Sequence, residues 1–101
     1  MKSILQTRRE CWACRAYYNL ITTRGLQEHH VFQGARRQAS EDAGLKVWLC
    51  AAHHVGDEGA HFDSALAAML KDEAQRAYDA LHGPGAFFER FQKNYEGDDA
   101  T

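Results

Sequence analysis

Residues 26–32 read Leu26-Gln27-Glu28-His29-His30-Val31-Phe32, and residues 45–54 read Leu45-Lys46-Val47-Trp48-Leu49-Cys50-Ala51-Ala52-His53-His54. The first reads as a strand, and the second opens with the apolar and aromatic bias that strands prefer. The second runs into alanines, which favour the start of a helix. Gly25 precedes the first strand and Gly34 stops it, and residues 33–44, with Gly34, Ser40 and Gly44, read as a polar loop. The pattern predicts strand, loop, strand, helix, with a histidine doublet on each side of the loop.

Working outward, Cys11-x-x-Cys14 and Cys50-x-x-His53 repeat the same two-residue gap. Thiolates and imidazoles at this spacing close a tetrahedral zinc site, each pair gripping the metal from one turn. A redox C-x-x-C would sit at the start of a helix in a βαβ unit, which this order of elements lacks. Three cysteines are an odd count for a disulfide framework but suffice as three zinc ligands in a reducing compartment. The 35 residues between Cys14 and Cys50 exceed a simple finger, so both strands must be enclosed between the half-sites. The paired spacings favour a structural metal over buried apolar cysteines beside a surface histidine. His29, His30, His54 and His61 are then left over, the groups that a second, open metal site needs.

At 101 residues the chain is one small domain, for which a metal staple is a plausible supplement to the core. Residues 1–10 read as polar and either unfixed or weakly paired, and residues 15–20 as a short helix or turn. A long helix is expected over residues 63–82, capped by Asp63, with Leu66, Met69/Leu70, Ala74, Ala77 and Leu81 recurring at helical spacing. Gly83-Pro84-Gly85 ends it, and His82 is a residue of its last turn. A last short helix carries Phe87, Phe88, Phe91 and Tyr95, a stripe whose spacing favours core over a base-stacking platform. The domain spans residues 1–95, with knuckles and strands in 11–62, helices in 63–95 and a frayed tail over 96–101. No run approaches a membrane span and Met1-Lys2-Ser3 begins no secretory signal, so a soluble, cytoplasmic protein is expected. Residues 1–54 carry eight Lys/Arg against four Asp/Glu, whereas residues 55–101 carry four against ten. A basic first half suits phosphate contacts, although charge alone fits an uneven solvated surface equally well.

The combination of C-x-x-C, Glu28-His29-His30-Val31 on a strand, and Leu49-Cys50-x-x-His53-His54 at a strand-to-helix junction resembles the HNH group of ββα-metal (His-Me finger) endonucleases. Within it the chain is most similar to small phage-type proteins and to the zinc-bearing branch that includes a phage recombination-enhancement nuclease. The resemblance covers residues 11–62. It implies an α+β fold: a zinc-stapled, treble-clef-like ββα-metal unit followed by C-terminal helices. It also implies metal-dependent hydrolysis of DNA phosphodiesters, as an endonuclease or nickase encoded by a phage or prophage. His30 would be the general base, and His29 and His54 ligands of a catalytic divalent metal such as Mg2+, Mn2+ or Zn2+. His61 is the favoured third ligand, with Asp57 and Glu58 as alternatives. Neighbours on a flat strand point to opposite faces, so the His29-His30 doublet works together only where the strand twists at its end. Arg36 and Arg37 either grip a phosphate or solvate their loop. One position departs from the family pattern: no Asn lies between Asn19 and Asn94, so the middle residue of the HNH signature is absent.

Two functions compete. The first is the HNH nuclease, with DNA as partner. The second is a non-catalytic zinc module that binds nucleic acid or a phage or host recombination protein, consistent with the missing Asn and the acidic second half. A zinc deaminase is excluded by the lack of an H-x-E plus P-C-x-x-C arrangement.

Overall fold

A computed structural model describes residues 2–54 and 64–95. Its elements are α1 (Trp12–Tyr18), β1 (Gln27–His30), α2 (Arg37–Ala43), β2 (Lys46–Leu49), α3 (Ala51–His54), α4 (Ser64–His82) and α5 (Ala86–Phe91). The chain is thus a small α+β domain built on a two-stranded sheet. The strands pair antiparallel with Gln27 opposite Leu49, Glu28 opposite Trp48, His29 opposite Val47 and His30 opposite Lys46. Directly opposed residues share a face and successive ones alternate. Gln27, His29, Val47 and Leu49 therefore lie on one face, and Glu28, His30, Lys46 and Trp48 on the other. α3 follows β2 after Cys50 alone.

The expected strands are found, but the expected loop over 33–44 is not. After one 3-10 turn (Gly34–Arg36) the chain forms α2, whose sequence Arg-Gln-Ala-Ser-Glu-Asp-Ala is rich in good helix formers. Ser40 reads as a loop residue in the sequence. It is fully buried, its hydroxyl donating to the Leu45 carbonyl at 2.5 Å and accepting from the Phe32 amide at 3.3 Å. It thereby ties the exit of β1 to the entry of β2. Gly44 ends α2 in the left-handed region at φ 73°, the C-terminal stop that glycine supplies at no steric cost.

Segment 2–10 also differs from expectation, for it is packed beside β2. Ile4 donates its amide to the Gly44 carbonyl at 2.9 Å, the Ser3 hydroxyl donates to the Lys46 carbonyl at 2.5 Å, and Trp48 donates its amide to Gln6 Oε1 at 2.9 Å. A Cβ on Gly44 would lie 2.4 Å from the Lys2 carbonyl oxygen, so glycine is required there for space as well as for φ.

In α4, Leu66, Leu70, Ala74 and Tyr78 form the buried stripe, whereas Met69 and Leu81 are exposed. The buried positions step by four, so the stripe turns slowly around the helix and leaves Leu81 outside it. Phe32, at the end of the β1 segment, packs its ring 5.2–5.4 Å from those of Phe87, Phe91 and Tyr95, and Phe87 stacks on Phe91 at 4.6 Å. Phe87 and Phe91 are core, as expected of the aromatic stripe, while Phe88 is exposed. Each fully buried ring contributes roughly 1.5–3 kcal/mol of apolar burial, which clamps α4 and α5 onto the sheet. Gln75 completes the clamp, donating to Asn94 Oδ1 at 2.7 Å and accepting from the Tyr95 amide at 2.5 Å. No helix among the described residues is long and apolar enough to cross a membrane. Asp63, the expected cap of α4, and the tail 96–101 lie outside the described residues.

Candidate metal centre

The N-cap of α1 and the exit of β2 bring Cys11, Cys14, Cys50 and His53 together, their ligand atoms all within 4.8 Å of one another. Cys14 Sγ is 3.8 Å from Cys50 Sγ, and His53 Nδ1 is 3.7, 3.5 and 3.3 Å from the sulfurs of Cys11, Cys14 and Cys50. Zinc with Zn–S of about 2.3 Å and Zn–N of about 2.0–2.1 Å requires tetrahedron edges of about 3.8 Å (S···S) and about 3.6 Å (S···N). The cluster therefore has the dimensions of a Cys3His site and could hold a metal such as zinc.

Local structure explains the convergence. Cys11 caps α1, its sulfur accepting from the Cys14 amide at 3.4 Å, and its own amide donates to the Thr22 carbonyl at 2.8 Å. Asn19, in the left-handed region at φ 52°, closes α1: its amide donates to the Arg15 carbonyl at 3.0 Å and the Leu20 amide donates to the Cys14 carbonyl at 3.2 Å. On the other half-site, the His53 and His54 amides both donate to the Cys50 carbonyl, at 3.1 and 2.9 Å, forming the tight turn that starts α3. Burial pushes the Cys11 thiol up to about 11. Burial also acts against the Cys50 thiolate, but the His53 amide and the Cys11 and Cys14 thiols outweigh it and bring Cys50 below its usual value. A metal would have to displace the Cys11 proton.

The sheet's alternation separates the first doublet. On the α3 face, His29 lies against His54, with ring centroids 5.3 Å apart and planes at 75°. Gln27 Oε1 accepts from His54 Nδ1 at 2.5 Å, which leaves the lone pair of His54 on Nε2, the arrangement of an oriented metal ligand. His61, Asp57 and Glu58, the expected third ligand and its alternatives, lie outside the described residues.

On the opposite face, His30 is as buried as His29, at 6% and 5% exposure. His30 Nε2 donates to Glu41 Oε1 at 2.8 Å. The Lys46 ammonium lies 2.9 Å from Glu41 Oε2 and 3.2 Å from Glu28 Oε2. The His30 hydrogen bond is the largest influence holding the Glu41 carboxyl well below the usual carboxylate range, and the Lys46 ammonium adds to it. Desolvation works against the Lys46 charge, but Glu41 and Glu28 outweigh it and raise its pKa. Glu28, His30 and Glu41 also have metal-ligand proximity, yet Lys46 already supplies the counter-charge between the two carboxylates.

The sequence pattern assigns no site role to Glu41, Glu28 or Lys46. The one available signal was the helix-forming run ending at Gly44, which would have put Glu41 on a helix facing the strands. Arg36 and Arg37, the expected phosphate contacts, are exposed at the 3-10 turn and the start of α2. Comparison with protein-family models, with curated proteins and with solved structures found no match.

Proposed function

We propose that this chain is a metal-dependent DNA endonuclease or nickase of the HNH type, phage-associated, in which Cys11, Cys14, Cys50 and His53 hold a structural zinc in a treble-clef-like setting. The observation that carries this reading is the His29–His54 contact at 5.3 Å, which places a strand histidine and a helix histidine together one residue beyond the Cys3His cluster. The zinc cluster fixes the β2–α3 junction, and that junction aims His54 at β1. His29 and His54, with His61 as the expected third ligand, would hold the catalytic divalent ion. When bound, such an ion supplies charge stabilisation for the phosphorane and for the leaving 3′ oxygen.

The chain's own residues supply the rest. Gln27 fixes the His54 tautomer. Glu41, being ionised, only accepts, so the His30 Nε2 carries a proton and Nδ1 is the atom that would take a proton from water. Glu41 thus orients His30 in the way that the missing Asn is expected to support the base. The test is plasmid nicking with and without added Mg2+ or Mn2+, against His30→Ala. A general base is worth about 10²–10⁴ in rate. Nicking that persists unchanged in His30→Ala, or that needs no divalent metal, would count against this reading.

A second reading is favoured by one specific feature: His30 lies on the face opposite His29, engaged with Glu41 beside a buried lysine. If His30 does not reach a water at the His29–His54 ion, the fold is a non-catalytic zinc module that binds nucleic acid or a phage protein. Metal stoichiometry separates the two. One tightly held zinc alone supports the module, and an additional weaker divalent site supports the nuclease.

A further inference from the structure

Segment 2–10 and the sheet face bearing Glu28, Lys46 and Trp48 flank a cleft of about 490 Å3 that is lined by none of the Cys3His residues and by neither His29 nor His54. Four cations, Lys2, Arg8, Arg9 and Lys46, line it against the single carboxylate of Glu28. Lys46 is engaged by Glu41 and Glu28. No carboxylate among the described residues comes within ion-pair distance of Lys2, Arg8 or Arg9. Three positive charges are thus concentrated on one short segment without acidic partners, in a protein whose net charge is −2.

The cleft is also held in shape. The Arg9 guanidinium lies 4.5 Å from the centre of the Trp48 ring. That distance is within cation–π range, and the attraction holds the guanidinium at the cleft, where its N–H fork can meet two oxygens of a phosphate. The Ser3 hydroxyl accepts from the Leu5 and Gln6 amides at 3.0 and 3.1 Å, and Gln6 spans from the Trp48 amide to the Glu10 carbonyl. The turn over residues 3–6, which Lys2 and Arg8-Arg9 flank, is therefore fixed to β2 before any ligand arrives, which lowers the cost of ordering on binding. A space of this volume is far larger than one orthophosphate, and three cations without an acidic partner among the described residues line it, which suits a chain of phosphates better than a single ion.

We propose that this cleft is a track for the phosphate backbone of a nucleic-acid strand, with Lys2, Arg8 and Arg9 as phosphate contacts and Trp48 as the platform that aims Arg9. The inference rests on the nucleic-acid partner of the proposed function but not on its metal chemistry. It assigns the contacts to segment 2–10 rather than to Arg36 and Arg37 alone.

The test is fluorescence anisotropy of labelled single-stranded and duplex DNA with the zinc-loaded full chain, between about 50 and 200 mM salt. The variants are Arg8→Gln/Arg9→Gln and the charge-conserving Arg8→Lys/Arg9→Lys, each checked for zinc content and circular dichroism. Two lost phosphate contacts should reduce the salt slope by roughly 1.4 to 1.8 and weaken binding at the lowest salt by about tenfold or more, while the lysine pair keeps most of the slope. Wild-type binding that Arg8→Gln/Arg9→Gln leaves intact would overturn the track while the nucleic-acid reading stands. Absence of wild-type binding to either DNA at low salt would overturn both. Displacement of the DNA by inorganic phosphate at matched ionic strength would reveal a single-phosphate pocket and overturn the strand track.

Discussion

His30 Nε2 and Glu41 Oε1 are 2.8 Å apart, joining the last residue of β1 to the middle of α2 across eleven positions of sequence. The contact forms because α2 crosses back over the strand it follows, and because Lys46, paired with His30 in the sheet, brings its ammonium to the same carboxylate. One carboxylate thus holds a candidate base and a buried lysine in register.

Acid should expose this relationship. The Glu41 pKa is depressed in the folded state, so its contribution is fully present above the unfolded value near 4.5 and is lost progressively as pH falls below it. Chemical denaturation of the wild type should show stability declining on acidification below about pH 4.5, and Glu41→Gln should flatten that decline while lowering stability at neutral pH. Parallel pH profiles for the two proteins would mean that Glu41 titrates as an ordinary surface carboxylate.

Metal affinity should depend on pH in the opposite region. With its thiol at about 11, Cys11 is protonated in the metal-free protein at neutral pH and must lose that proton on binding. Zinc affinity measured by chelator competition should therefore tighten by about tenfold or more for each unit between about pH 6 and 8, the consequence of at least one released proton. Closed zinc sites contribute on the order of 10 kcal/mol to folding small modules, so Cys14→Ser should give a poorly folded chain without zinc. Purified protein devoid of zinc, with Cys14→Ser melting like wild type, would remove the structural-metal assignment.

The parts of this fold that sequence made legible are those whose signal is local. The β1 and β2 strands, α4 and the two short metal-ligand pairs each carry their pattern within a few residues. α2 was obscured because Gly34, Ser40 and Gly44 imitate a loop, whereas only Gly44 interrupts the helix and Ser40 serves buried backbone groups. The packing of segment 2–10 has no periodicity to read, since it depends on Ser3, Ile4 and Gln6 meeting backbone groups of residues about forty positions away. Glu41 was missed for the same reason. Its role is set by which face of the sheet α2 covers, and no spacing along the chain reports that.

The His29–His54 pair can be separated experimentally from the Cys3His cluster because His53 enters the cluster through Nδ1 while His54 turns to Gln27. His54→Ala should keep zinc at wild-type stoichiometry by elemental analysis and abolish the proposed weaker divalent site, titrated with Mn2+ by calorimetry. Gln27→Ala should weaken that Mn2+ site by about 10–100-fold, the usual effect of removing a partner that orients a ligand. Simultaneous loss of zinc in His54→Ala would show that the two histidines serve one site.

Gly44 offers a test of the packed N-terminal segment. At φ 73° an L side chain carries about 1–2 kcal/mol of strain, and its Cβ would also meet the Lys2 carbonyl oxygen at 2.4 Å and Ile4 Cγ2 at 3.2 Å. Gly34, at φ 61°, has nothing within 4 Å of the same position, so Gly34→Ala carries the strain without the collision. Gly44→Ala should therefore lower the zinc-saturated Tm by more than Gly34→Ala does, with about 4–8 °C expected for each kcal/mol in a domain of this size. The collision should also push segment 2–10 off β2, breaking the Ile4 hydrogen bond to residue 44 and lifting Arg9 from the Trp48 ring. In a Trp12→Phe background, acrylamide should then quench Trp48 more strongly in Gly44→Ala than in Gly34→Ala. Equal melting and equal quenching in the two variants would show that residues 2–10 do not rest against β2 in solution.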